Sequence, residues 1–228
     1  MKHRDILALG LAVLCMGCVS TPPPRQDKSA TAALSPSGAA VQQETVAVTE
    51  WKTESIPLPN RGEKARLEYR CPAEWTIDVD RLFGKLVFRK EKEVELTYIS
   101  NAISNNATLL RASAKNTVQV IQEDLAERGF RFKTVSEEFG APTKNLGHFS
   151  TPPSIHSLGR RVLQGERDER RYWVRIEADV SYFEDGLHNY VNDADIQGFG
   201  NATVATCPLD SACADVFDAI GASIHTSY

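Results

Sequence analysis

From Arg171 to Tyr182 the chain keeps a strict two-residue period. Tyr172, Val174, Ile176, Ala178, Val180 and Tyr182 alternate with Arg171, Trp173, Arg175, Glu177, Asp179 and Ser181. Side chains repeat every 3.6 residues on a helix and every two on a strand, so this segment is a strand with one apolar and one polar face. A half-buried strand of this kind belongs in an antiparallel sheet.

Shorter segments repeat the pattern. Lys64–Arg70 places Ala65, Leu67 and Tyr69 on one face, and Trp75–Val79 places Trp75, Ile77 and Val79. Lys85–Arg89 and Glu93–Ile99 follow, then Phe130–Val135, Leu158–Gln164 and Gly200–Thr206. Glu184-Asp185-Gly186 is a turn signal, from which Leu187–Val191 pairs back as a hairpin. One long helix is expected over Thr108–Arg128, where Leu110, Ala114, Val118, Ile121 and Leu125 recur every three or four residues before Gly129. Asp210 or Ser211 caps a short terminal helix bearing Val216, Phe217, Ile220 and Ile224. The expected fold class is α+β: an antiparallel sheet packed against a long central helix and a short C-terminal helix.

The N-terminus sets the compartment. Lys2 and Arg4 precede an apolar run, Ile6–Met16, that is too short to span a bilayer, since a spanning helix needs roughly 20 residues. The run closes on Gly17-Cys18, and this ending resembles a bacterial lipoprotein lipobox, with Leu14 one position earlier than the usual pattern. The resemblance implies removal of residues 1–17, acylation of Cys18 and anchoring in a membrane. Val19-Ser20, with no Asp after the cysteine, implies the outer membrane, facing the periplasm. Residues 18–59 read as the acylated cysteine and a Pro-, Ser- and Ala-rich tether; up to Trp51 they hold no aromatic residue with which to bury a core. Residues 60–228 are then a single domain.

Four segments of that domain resemble the PsbP/DcrB-like superfamily: Tyr69–Trp75, the helix ending at Gly129, Arg171–Ala178 and Val216–Ile224. The resemblance implies the same helix-on-sheet layout and a binding or assembly role without catalytic residues.

The net charge of -4, with 42% hydrophobic and 25% charged residues, is that of an ordinary globular chain and gives no bulk attraction to nucleic acid. Chemistry-bearing candidates are few. Of five cysteines, Cys71, Cys207 and Cys213 belong to the domain, and Cys207 with Cys213 is the closest pair for a disulfide in an oxidising compartment. Trp173 with Arg171 and Arg175 forms a possible interface on the polar face of the long strand, the residue types favoured at binding hot spots. No metal site, cofactor site or catalytic residue is expected. His148 and His156 sit in a Pro-rich loop without ligand spacing, and Asp193-Ala-Asp195-Ile-Gln197-Gly198 copies half a calcium loop but has Val204 where the closing acid belongs. Glu137-Glu138 and Glu184-Asp185 are sequence neighbours, which a strand sends to opposite faces. The expected function is a membrane-anchored, non-catalytic binding or assembly module of the cell envelope, its partner an envelope protein or a small ligand. The alternatives are a hydrolase-like envelope enzyme with a site around residues 141–157, and a purely structural spacer.

Overall fold

The computed structural model describes residues 44–45, 50–147, 152–183 and 197–228. The signal segment, Cys18, most of the tether, His148, His188 and residues 184–196 lie outside the described residues.

The long alternating segment is strand β10 (Arg170–Phe183), and it runs through the middle of the largest sheet. Its neighbours are β9 (Ser154–Arg167) and β11 (Phe199–Pro208), both antiparallel to it. The order continues on one side through β6 (Val94–Ser100), β5 (Lys85–Lys90) and β4 (Thr76–Asp80). On the other side β9 is flanked by β7 (Arg131–Phe139) and, further along, by β8 (Thr143–Asn145). A second sheet holds β2 (Trp51–Pro57), β3 (Arg66–Pro72) and β13 (His225–Ser227), in the order β13-β3-β2. Strand β2 lies within the stretch expected as tether, paired to β3 over its whole length. Two short strands, β1 (Glu44–Thr45) and β12 (Ser211–Ala212), pair in parallel.

The helices are shorter than the sequence pattern suggests. Helix α1 covers Ala114–Glu127 and α2 covers Ala214–Ser223. The α+β expectation of a sheet packed against a long central helix is therefore corrected: the described residues are 55% strand and 17% helical, a mainly-β fold with one large antiparallel sheet. The cause is local. Ser113 adopts an extended backbone and its hydroxyl accepts from the Asn116 N–H, so it caps the helix five residues after the expected start. Thr117 Oγ1 accepts the Arg111 N–H at 2.9 Å, and the apolar Leu110 reaches the core from a loop. The strands also run longer than expected, fourteen residues each in β9 and β10. The Pro-rich loop expected around His148 and His156 is partly strand: Thr143–Asn145 forms β8, and His156 lies in β9.

The large sheet separates two cores. On one face Val118, Ile121 and Leu125 of α1 bury Val174, Ile176, Leu163 and Val204. On the other face the small sheet and α2 cover β5, β6 and the ends of β10 and β11 nearest Trp173, with Leu67, Tyr69, Trp75, Phe88 and Phe217 at the centre. This second cover does not extend along the full length of β10, and the cleft opens beyond it.

Candidate binding cleft

Alternation sends Trp173, Arg175, Glu177 and Asp179 to the face of β10 opposite α1, in order of increasing distance from the β9–β10 turn. Trp173 is half-buried under α2, its ring stacked on Phe217 at 6.3 Å and 9°. Arg175 lies at the rim of α2: its guanidinium bonds the Asp218 carboxylate and stands 5.3 Å over the Trp173 ring, leaving the side chain 13% exposed. Glu177 and Asp179 lie past the end of this cover, 38% and 54% exposed.

Strand register then gathers residues from five strands into one transverse row. Tyr98 of β6 pairs with Thr203 of β11, Thr203 with Glu177 of β10, Glu177 with Arg160 of β9, and Arg160 with Glu138 of β7. Residues directly opposite on antiparallel strands share a face, so the row forms a continuous polar floor. Its ion pairs are Arg160 Nη2 to Glu138 at 3.3 Å, Arg160 Nη1 to Glu177 at 4.0 Å and Arg175 Nε to Glu177 at 3.6 Å. Thr203 Oγ1 donates to Glu177 at 3.5 Å. Burial pushes the Tyr98 hydroxyl above its ordinary pKa; a hydrogen bond with Ser100 opposes this and the Asp179 charge adds to it.

Above the floor, Phe217, Gly221, Ala222 and Ile224 of α2 and the residue after it form a wall, and the space enclosed is about 720 Å³. Such a volume lies within the range of small-ligand sites, roughly 300–1,000 Å³. Gly221 faces open space: a Cβ built there meets nothing within 4 Å. Leu158, 51% exposed, adds an apolar patch to the floor.

The expected site residues fall into different places. Of the proposed interface, Arg171 is exposed, Trp173 is stacked beneath α2, and Arg175 borders the cleft. Cys207 and Cys213 are joined by a disulfide with a Cα–Cα distance of 6.3 Å, which ties the end of β11 to the start of α2. Cys71 is a buried free thiol whose pKa burial raises. His156 Nε2 lies 2.8 Å from Asp179 Oδ1, beside the cleft. His225 Nδ1 bonds the Ser223 carbonyl, away from it. Glu137 and Glu138 point to opposite faces, Glu137 to Arg161 and Glu138 to Arg160. His148 and the 193–196 part of the calcium-like stretch lie outside the described residues, and among the described residues no three His, Cys, Asp or Glu side chains are gathered for a metal ion.

Sequence reading did not single out Tyr98, Thr203, Arg160 or Asp218 for the site. Period-two patterning gives the face of each strand, and all of these but Asp218 were on strands whose faces were assigned or inferable. Which strands are neighbours, and in which register, leaves no local signal.

No protein-family model matches the chain, and no curated protein matches it closely enough to count as a relative.

Proposed function

We propose that this protein is a lipid-anchored binding module of the bacterial cell envelope. Acylation of Cys18 holds it to the outer membrane, the following segment is a tether, and the mainly-β domain takes an envelope partner or small ligand into its cleft without chemical conversion. The observation that carries the binding reading is the cleft: a wide sheet face, covered at one end by α2, with a polar floor built from five strands and about 720 Å³ of open volume. The lipid anchor rests on the Gly17-Cys18 ending of the signal-like segment.

Two measurements test this reading. Cys18→Ala leaves unprocessed precursor and abolishes acyl labelling; labelling that persists in the variant overturns the anchor. Crosslinking in the native envelope, with a photoreactive group placed at Leu158, captures a partner or ligand in the parent chain. A Leu158 probe that captures nothing above background overturns the cleft as a binding site.

The hydrolase-like alternative has one observation in its favour, the His156–Asp179 pair beside the cleft. An acid–base role needs a free ring nitrogen aimed at the reacting group. Here Nε2 already faces Asp179, so only Nδ1 remains for substrate. A panel of ester, amide and glycoside substrates turned over by the parent and not by His156→Ala would displace the binding reading.

A further inference from the structure

The charges around the cleft do not cancel. Glu138, Arg160, Glu177, Arg175 and Asp218 form a chain that alternates in sign and begins and ends on a carboxylate. Both arginines are used within it, each between two carboxylates. Asp179 stands outside the chain, paired with His156 and with 54% of its side chain exposed. Even with His156 counted beside the two guanidinium groups, the four carboxylates are in excess. The wall opposite presents the apolar Ala222 and Ile224, and Leu158 adds an apolar patch beside Asp179. A cleft of this kind offers an excess of hydrogen-bond acceptors with negative charge at one place and hydrocarbon a few residues away.

We propose that the cleft selects ligands carrying an ammonium or guanidinium group on an apolar body, with the cation held between Asp179 and Glu177 and the apolar part against α2. This rests on the binding reading above and adds the charge class of the ligand. Among the described residues an anionic ligand meets no free guanidinium or ammonium group on this floor, because releasing Arg160 or Arg175 would strand the carboxylates they now pair. A basic side chain adds a partner for Asp179 and disturbs neither arginine. Complementary charge acts here chiefly as a filter on which ligand enters.

The test uses the full-length chain in detergent and calorimetric titration. The probes are a capped pentapeptide Ala-Leu-Lys-Leu-Ala, its counterpart with Glu in place of Lys, and spermidine. The lysine peptide is expected to bind about tenfold more tightly than the glutamate peptide, the size expected when one or two partly exposed charges change sign of contact. Asp179→Asn, alone and with Glu177→Gln, removes that preference. Gly221→Leu fills the cleft from a position with open space around it and abolishes binding of every probe. Spermidine binding that shows the same sensitivity, with or without peptide binding, also supports the proposal and points to a free amine as the source. Equal affinity for the two peptides, a preference that survives in Asp179→Asn, or no binding of any probe by a chain with an unchanged melting profile overturns it. A natural partner that is lost from crosslinks on Gly221→Leu but retained in Asp179→Asn with Glu177→Gln removes the charge class alone and leaves the binding reading standing. Crosslinks that survive Gly221→Leu overturn both.

Discussion

Glu95 shows how a charge is kept in a half-covered place. Its side chain is 17% exposed on β6, and it accepts from Arg89 Nε at 2.8 Å with Arg128 at 3.5 Å. Burial acts to raise its pKa, but the Arg89 hydrogen bond and the Arg128 and Arg89 charges outweigh that and hold it below the ordinary value. A lowered folded pKa contributes stability above the unfolded value of about 4.3, and that contribution is lost as pH falls through the folded value. Glu95→Gln is therefore expected to cost about 1.5–3 kcal/mol at neutral pH, the range for hydrogen bonds to a charged group. The gap to the parent should shrink below about pH 4. Urea unfolding at pH 7 and pH 3.5 measures both; a gap of equal size at the two pH values refutes the pairing account. The alternation Val94, Leu96, Tyr98 against Glu95, Thr97 told which way Glu95 would point. Nothing in the sequence announced Arg89 or Arg128 as its partners, because one comes from the next strand and the other from just beyond α1.

Strands were more legible than helices, and the reason is visible in α1. Leu110 has the spacing of a helical residue and is fully buried, so the periodic pattern ran on past the true start. Ser113 is a stop signal of a single hydroxyl, weak against a run of well-spaced apolar residues. The mirror case is the β9–β10 connection. The charged run Gly165–Arg170 reads as a turn between two alternating segments, and within it Asp168 and Glu169 both adopt positive φ, 52° and 64°. Two left-handed residues in succession make the turn whose twist matches paired strands. At a residue with a Cβ that conformation costs roughly 1–2 kcal/mol. Glycine at the second position escapes that cost and gives back about 0.5–1 kcal/mol in chain entropy. Glu169→Gly is expected to raise stability by a net of about 0.5–1 kcal/mol. The readout is the urea midpoint, and a lower midpoint in the variant contradicts the assigned turn. Gly159, in the same hairpin, behaves the opposite way: a Cβ there would lie 2.3 Å from the Phe139 ring, so this strand position has room for hydrogen alone.

For the chain taken whole, the disulfide and the sheet order matter most. Cys207–Cys213 joins β11, a central strand, to α2, the wall of the cleft. Replacing both cysteines by serine is expected to cost about 2–3 kcal/mol by the chain-entropy account for a short loop. Denaturation with and without reductant checks this in the parent as well, and identical midpoints would refute it. The helix-on-sheet layout implied by the superfamily resemblance did not survive, because the segments that carried it fix local form and not order in space. Tyr69–Trp75 is the end of β3 and the turn after it, beside the small sheet, whereas Arg171–Ala178 lies within β10 of the large one. A long alternating strand constrains its own two faces firmly. It leaves open that β9 and β11 flank it, and the cleft exists only because they do.

The pairing of β1 with β12 has a mechanical consequence. Glu44–Thr45 runs parallel to Ser211–Ala212, and those two residues lie inside the loop closed by Cys207–Cys213. If Cys18 is acylated and the cleft is loaded as proposed above, tension runs between the anchor and the cleft. The two-residue ladder is the weakest link in that line and gives way first, acting as a fuse. Once it opens, the pull passes along the chain to β2, whose seven residues pair with β3. Slack released by the fuse lengthens the leash while the cradle for the cargo keeps its shape.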